Sequence, residues 1–100
     1  MDIRDQIVLV TGGARGLGLA ISQTLIQEGV KVVINYLSSH EQAHALAEQY
    51  PSQVFAYQAD VTNREQVKAM FQASKAHFGH AVTSVINNAL IHFKFDGDER

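Results

Sequence analysis

The sequence predicts a doubly wound α/β fold, a parallel sheet in strand order 3-2-1-4 with helices on both faces. Three observations predict it. Four short apolar runs, at residues 7–10, 30–35, 54–57 and 82–87, alternate with three stretches of helical period. The second run is almost continuously apolar, as in a strand buried on both faces. Each pair of runs is separated by enough chain for a crossover helix, and such crossovers are right-handed.

Taken in order, Ile7-Val8-Leu9-Val10 is the first strand. A helix is expected over residues 16–28, with Leu17, Ile21, Leu25 and their neighbours inward, and Gly29 stops it. Residues 30–35 are the second strand. Ser38 or Ser39 then caps a second helix carrying Ala43, Leu46, Ala47 and Tyr50, which Pro51 closes. Residues 54–57 form the third strand. Thr62-x-x-Glu65 reads as a capping box that opens a third helix, with Val67, Met70, Phe71, Ser74 and Phe78 on one face and Gly79 at its end. Residues 82–87 supply the fourth strand, and residues 91–100 turn polar with no clear period.

The chain has 100 residues, 46% of them apolar, which is enough for one core and too little for two. A single domain over residues 1–100 is expected. In the doubly wound topology only the third helix covers the second face, so much of that face and the outer edge of strand four lack cover. Either more chain follows or a partner covers them. We therefore expect the N-terminal part of a longer chain, prone to self-association and forming a homo-oligomer at full length. Net charge is −2 and the eight basic residues are scattered, which argues against a nucleic-acid partner. No apolar run approaches the roughly 20 residues that span a bilayer, and the charged start lacks a signal peptide's apolar stretch. The expectation is a soluble, cytoplasmic chain without a membrane partner. With no cysteine there are no disulfides and no thiolate metal ligands.

Strand one meets helix one through Thr11-Gly12-Gly13-Ala14-Arg15-Gly16-Leu17-Gly18, the form of a phosphate-binding turn. Gly12 suits a tight turn of positive φ, Gly16 lets a pyrophosphate approach the backbone, and Gly18 lets helix and strand pack closely. The Gly-x-x-x-Gly-x-Gly spacing is neither Gly-x-Gly-x-x-Gly nor a P-loop, which excludes an ordinary kinase or ATPase. The same glycines also serve strand-to-helix turns that bind nothing.

Together, Thr11-Gly12-x-x-x-Gly16-x-Gly18, Asp60-Val61 after strand three and Asn87-Asn88-Ala89 after strand four resemble the short-chain dehydrogenase/reductase family, and within it the 3-oxoacyl-acyl-carrier-protein reductase branch. The resemblance runs from Ile7 to about Leu90. It implies a nicotinamide dinucleotide as cofactor, with Asp60 at the adenine, Val61 lining its pocket, and Asn88 and Ala89 supporting the sheet and touching the adenosine ribose. It also implies hydride transfer to the carbonyl of a small molecule or acyl thioester. Taken singly, Asp60 also reads as an Asx-turn residue and Asn87-Asn88 as a turn pair. The family turn ends in glycine where this chain has Leu90.

Charge selects between the two nicotinamide cofactors. An NAD site places a carboxylate on the ribose 2′-hydroxyl about 20 residues past the glycines. Between Glu28 and Glu41 this sequence has no acid. Strand two ends in Asn35-Tyr36-Leu37-Ser38, where Asn35, Tyr36 and Ser38 offer neutral hydrogen-bonding groups, while Arg15 can pair with a phosphate dianion. NADP is expected as cofactor, with NADPH favoured over NADH.

The family's catalytic serine and Tyr-x-x-x-Lys are missing. Tyr36 is followed four positions on by His40, Tyr50 by Val54 and Tyr57 by Val61. Without a general acid, commonly worth about 10² to 10⁴ in rate, the chain alone is expected to be inactive. His40-Glu41-Gln42-Ala43-His44 matches the His-Glu-x-x-His zinc pattern. With the buried helix face running through Ala43, Leu46, Ala47 and Tyr50 and no third ligand at the usual distance, both histidines are expected to be exposed and no metal is assigned. His77, His80 and His92 read as surface residues. The reading is the cofactor half of an NADP(H)-dependent oxidoreductase; the alternative is a non-catalytic nucleotide-binding or protein-interaction module.

Overall fold

The computed structural model describes residues 5–88. The elements are β1 (Ile7–Val10), α1 (Gly16–Gln27), β2 (Lys31–Tyr36), α2 (His40–Gln49), β3 (Val54–Gln58), α3 (Arg64–Phe78) and β4 (Ser84–Ile86). The sheet order is β3-β2-β1-β4 and every pairing is parallel, as the alternation of strand and helix patterns requires. Val8 lies opposite Val32 and Ser84, and Val10 opposite Ile34 and Ile86.

Because side chains alternate across a strand, each strand feeds two cores. Val8, Val10, Val32, Ile34, Tyr36 and Val54 pack with Ile26 of α1 and with Ala43 and Leu46 of α2. On the opposite face Ile7, Leu9 and Val33 pack with Met70 of α3, against Phe55 and Phe78. Ile7, Leu9, Val10, Val32, Val33 and Ile34 are at most 1% exposed. Burial at about 1.5–3 kcal/mol per large side chain makes β1 and β2 the rigid centre from which the loops at their C-terminal ends are held. Cover thins at β4, where Val85 is 43% exposed. Among the described residues no helix is long and apolar enough to cross a membrane.

Four local expectations are corrected. The buried face of α1 is Gly18, Ser22 and Ile26, one position from the expected row, and Leu17 is 66% exposed. Ile21 and Leu25 are half-buried against the same core, while the small residues mark the closest approach. Val30 belongs to the end of α1 rather than to β2. Its N–H donates to the Leu25 carbonyl and that of Gly29 to Ile26, a Schellman motif with Gly29 at φ 84°. The cap of α3 is Asn63, whose Oδ1 accepts the Gln66 amide proton at 3.1 Å. Thr62 is held one residue earlier, by Asp60. β4 is shorter than expected, because at its start the Thr83 hydroxyl takes the Ile7 amide proton at 3.0 Å in place of a backbone partner.

Candidate functional site

The turn between β1 and α1 lies at the C-terminal edge of the sheet and is braced from β2 and β4, from Asn88 beyond β4 and from within α1. From β2, Asn35 Oδ1 accepts the Gly12 amide proton at 3.2 Å, and the Asn35 carbonyl accepts that of Gly13 at 3.0 Å. From β4, the Thr11 amide donates to the Ile86 carbonyl at 3.0 Å. Beyond β4, Asn88 Nδ2 donates to the Gly12 carbonyl at 3.3 Å. From within α1, the buried Ser22 hydroxyl lies 3.1 Å from the Gly13 carbonyl and 2.9 Å from that of Gly18. Ala14 is buried in the α1–α2 core.

The glycines divide the work. Gly12 and Gly16 have φ of 64° and 54°, a region that side chains disfavour. A Cβ on Gly18 would collide with the Gly12 carbonyl and lie 2.8 Å from Asn88 Nδ2, so this glycine is what lets the helix start against the turn. A Cβ on Gly13 would lie 2.9 Å from Ser22 Oγ. Beside Gly16 there is nothing within 4 Å, so one side of the turn is open to an incoming group.

α1 begins with no side-chain cap and no acid in its first turn, whereas α2 and α3 begin with Glu41 and Glu65 there. Among the described residues no side-chain cap or first-turn acid meets its first amide protons and the positive end of its dipole, and exposed Arg15 at the N-cap adds charge of the same sign. The arrangement can accept an anion beside Gly16 and Leu17. A diphosphate fits the donors, the charge and the open side.

The other sequence-derived site residues are placed unevenly. Asn35 is 2% exposed, and both ends of its amide are engaged, Nδ2 donating to the Ala59 carbonyl at 3.0 Å. In these contacts it braces the turn. The Tyr36 ring is buried, with its hydroxyl 3.1 Å from both His40 Nδ1 and His44 Nε2. Ser38 is exposed at the end of β2. Asp60 makes the Asx turn weighed against its ligand role, its Oδ1 accepting from the Thr62 amide at 2.9 Å and hydroxyl at 2.6 Å. These two bonds, the hydroxyl's first, hold its carboxyl below the ordinary value of 3.8. Val61 is half-buried beside it. Ala89 and Leu90 lie outside the described residues. Sequence reasoning missed Ser22 and the partnership of Tyr36 with the two histidines. A serine four residues after Gly18 on a buried helix row was the available signal for the first.

A family model of the short chain dehydrogenases matches residues 6–98. The 3-oxoacyl-(acyl-carrier-protein) reductase FabG of Staphylococcus aureus is 39% identical over 84 residues, covering 81% of this chain and 34% of that protein. The chain thus spans about a third of the length of the curated relatives it matches. Among solved structures, the FolM alternative dihydrofolate reductase 1 of Brucella canis, complexed with NADP, superposes with a TM-score of 0.78 at 26% identity, over 88% of this chain and 36% of that one. A short chain dehydrogenase of Bacillus anthracis superposes at 0.77 with 28% identity, over 86% and 36%. With its glycine turn, its strand order and this match along nearly the whole sequence, the chain belongs to the short-chain dehydrogenase family of oxidoreductases.

Proposed function

We propose that this chain is the cofactor-binding half of an NADP(H)-dependent oxidoreductase that reduces a carbonyl to an alcohol. The observation that carries the reading is the uncapped, acid-free start of α1, presented by a turn braced from β2 and from Asn88. The dinucleotide, when bound, supplies the hydride. Gly12, Gly13, Ala14, Arg15, Gly16, Leu17 and Gly18 form the diphosphate cradle, in which backbone donors and the helix dipole hold the anion. Ser38 and Arg15 face the adenosine 2′-phosphate, Asp60 and Val61 the adenine, and Asn88 and Ala89 the ribose side. Asn35 and Tyr36 position the end of β2.

Preference for NADPH over NADH is supported by the absence of any acid between Glu28 and Glu41, together with Arg15 at the N-cap of α1. A 3-oxoacyl thioester is the substrate class suggested by the likeness to the Staphylococcus aureus reductase. The sequence holds no Tyr-x-x-x-Lys, so proton donation to the carbonyl needs residues other than these. We propose that the chain alone binds cofactor without turning over, and that homo-oligomerisation belongs to a longer form.

Calorimetric titration with NADPH and NADH tests this. NADPH is expected to bind more tightly than NADH, with the difference reduced in Arg15→Ala and binding of both lost in Gly16→Val. Undiminished NADPH affinity in Gly16→Val would remove the cradle. Tighter binding of NADH would overturn the preference.

A further inference from the structure

We propose that His40 and His44, with the Tyr36 hydroxyl, form a binding site for a divalent transition-metal ion. This does not rest on the nucleotide reading. The two histidines are one helical turn apart at the start of α2, so they share a face. Their ring centroids are 4.3 Å apart at an interplanar angle of 35°. Both rings stand edge-on to the Tyr36 ring, at 75° and 77°. His40 Nδ1 and His44 Nε2 each lie 3.1 Å from the same oxygen, Tyr36 Oη.

That separation has the size a coordination shell requires. With metal–nitrogen bonds of about 2.0–2.1 Å, neighbouring donors stand about 2.9 Å apart on an octahedron and about 3.3 Å apart on a tetrahedron. The observed 3.1 Å to each nitrogen falls between the two. The phenol oxygen is also held in place, since the Tyr36 ring is 4% exposed and packed in the core beneath α2. Both histidines are exposed, so an ion can reach them and water can fill the remaining positions. The phenol proton can go to one nitrogen while the other ring donates its N–H to the same oxygen; an ion would replace both bonds by engaging a lone pair of each ring and of the phenol oxygen.

Imidazole donors select zinc, copper and nickel over magnesium and calcium, with copper bound most tightly. Glu41 completes a His-Glu-x-x-His string, yet no group of three or more His, Cys, Asp or Glu converges among the described residues. The site is therefore a chelate of two imidazoles and one phenol that ties the first turns of α2 to the end of β2.

The test is titration of the chain with zinc chloride and nickel chloride in the absence of nucleotide, read by calorimetry and by the imidazole resonances. Expected is one saturable equivalent, with the signals of His40 and His44 moving. The affinity should fall about tenfold or more in both His40→Ala and His44→Ala, one ligand being worth at least 1.4 kcal/mol. His77→Ala should bind as the parent does. Both substituted positions are exposed, and the helical circular dichroism of each variant checks that the fold persists. Unchanged affinity in His44→Ala, loss of binding in His77→Ala, or no saturable binding at millimolar ion each overturns the proposal.

Discussion

Asn35 Oδ1 accepts the Gly12 amide proton at 3.2 Å, so a residue buried at the end of β2 sets the entrance of the glycine turn. The other end of the same amide holds the Ala59 carbonyl after β3, and the side chain thereby links three consecutive strand ends.

Asn35→Asp is expected to destabilise the protein by about 2–4 kcal/mol, because it places a carboxylate against the Ala59 carbonyl with no donor and little solvent. Urea denaturation reads the loss. Affinity for NADPH and NADH should fall together, since the turn itself loosens. A switch toward NADH at unchanged stability would instead make Asn35 a direct reader of the ribose.

The glycines at positions 16 and 18 should respond differently to a methyl group. Gly18→Ala drives a Cβ into the Gly12 carbonyl and is expected to cost about 1–3 kcal/mol through displacement of the turn. Gly16→Ala meets no atom and bears only the strain of φ 54°, about 1 kcal/mol. The two denaturation midpoints, compared at equal slope, check the order.

Thr62→Val removes the hydroxyl bond to Asp60, so the Asp60 carboxyl should titrate at higher pH than in the parent, measured by carboxyl carbon shifts. A carboxyl whose pKa is lowered by folding stabilises the folded state above its unfolded pKa. The parent's advantage over Thr62→Val should therefore be complete above pH 3.8 and fade as pH drops through the lower folded value. An advantage that grows on acidification would contradict the assignment.

Gly79 ends α3 at φ 89° with open space where a Cβ would lie. Gly79→Ala should cost about 1 kcal/mol by conformational strain alone, lowering the melting temperature without changing nucleotide affinity.

Much of this was legible in the sequence, and the misses share a physical cause. The strand order followed from the alternation of apolar runs and helical stretches, and the turn from its glycines. Bulk misled where small residues make the contact: Leu17, Ile21 and Leu25 marked one row of α1, but Gly18 and Ser22 are the residues that touch the turn. Asn35 and Asp60 were read for their chemistry, which sequence does reveal, while their partners, Ala59 and Thr62, depend on which way each side chain points. The histidines of α2 were placed on the exposed side, as the structure has them, but their meeting with Tyr36 requires knowing that the buried ring directs its hydroxyl toward the start of α2.

The braces of the glycine turn differ in how late they can form. Asn35 lies 23 positions from Gly12, within one strand–helix–strand unit, whereas Asn88 lies 76 positions away and reaches Gly12 only after β4 has slotted in on the other side of β1. Closing the longer loop is the slower and entropically costlier event. A ligand that needs both braces therefore binds only the finished sheet and draws the equilibrium toward it. During refolding, ligand capture should lag behind the appearance of helix and keep time with arrival of the last strand.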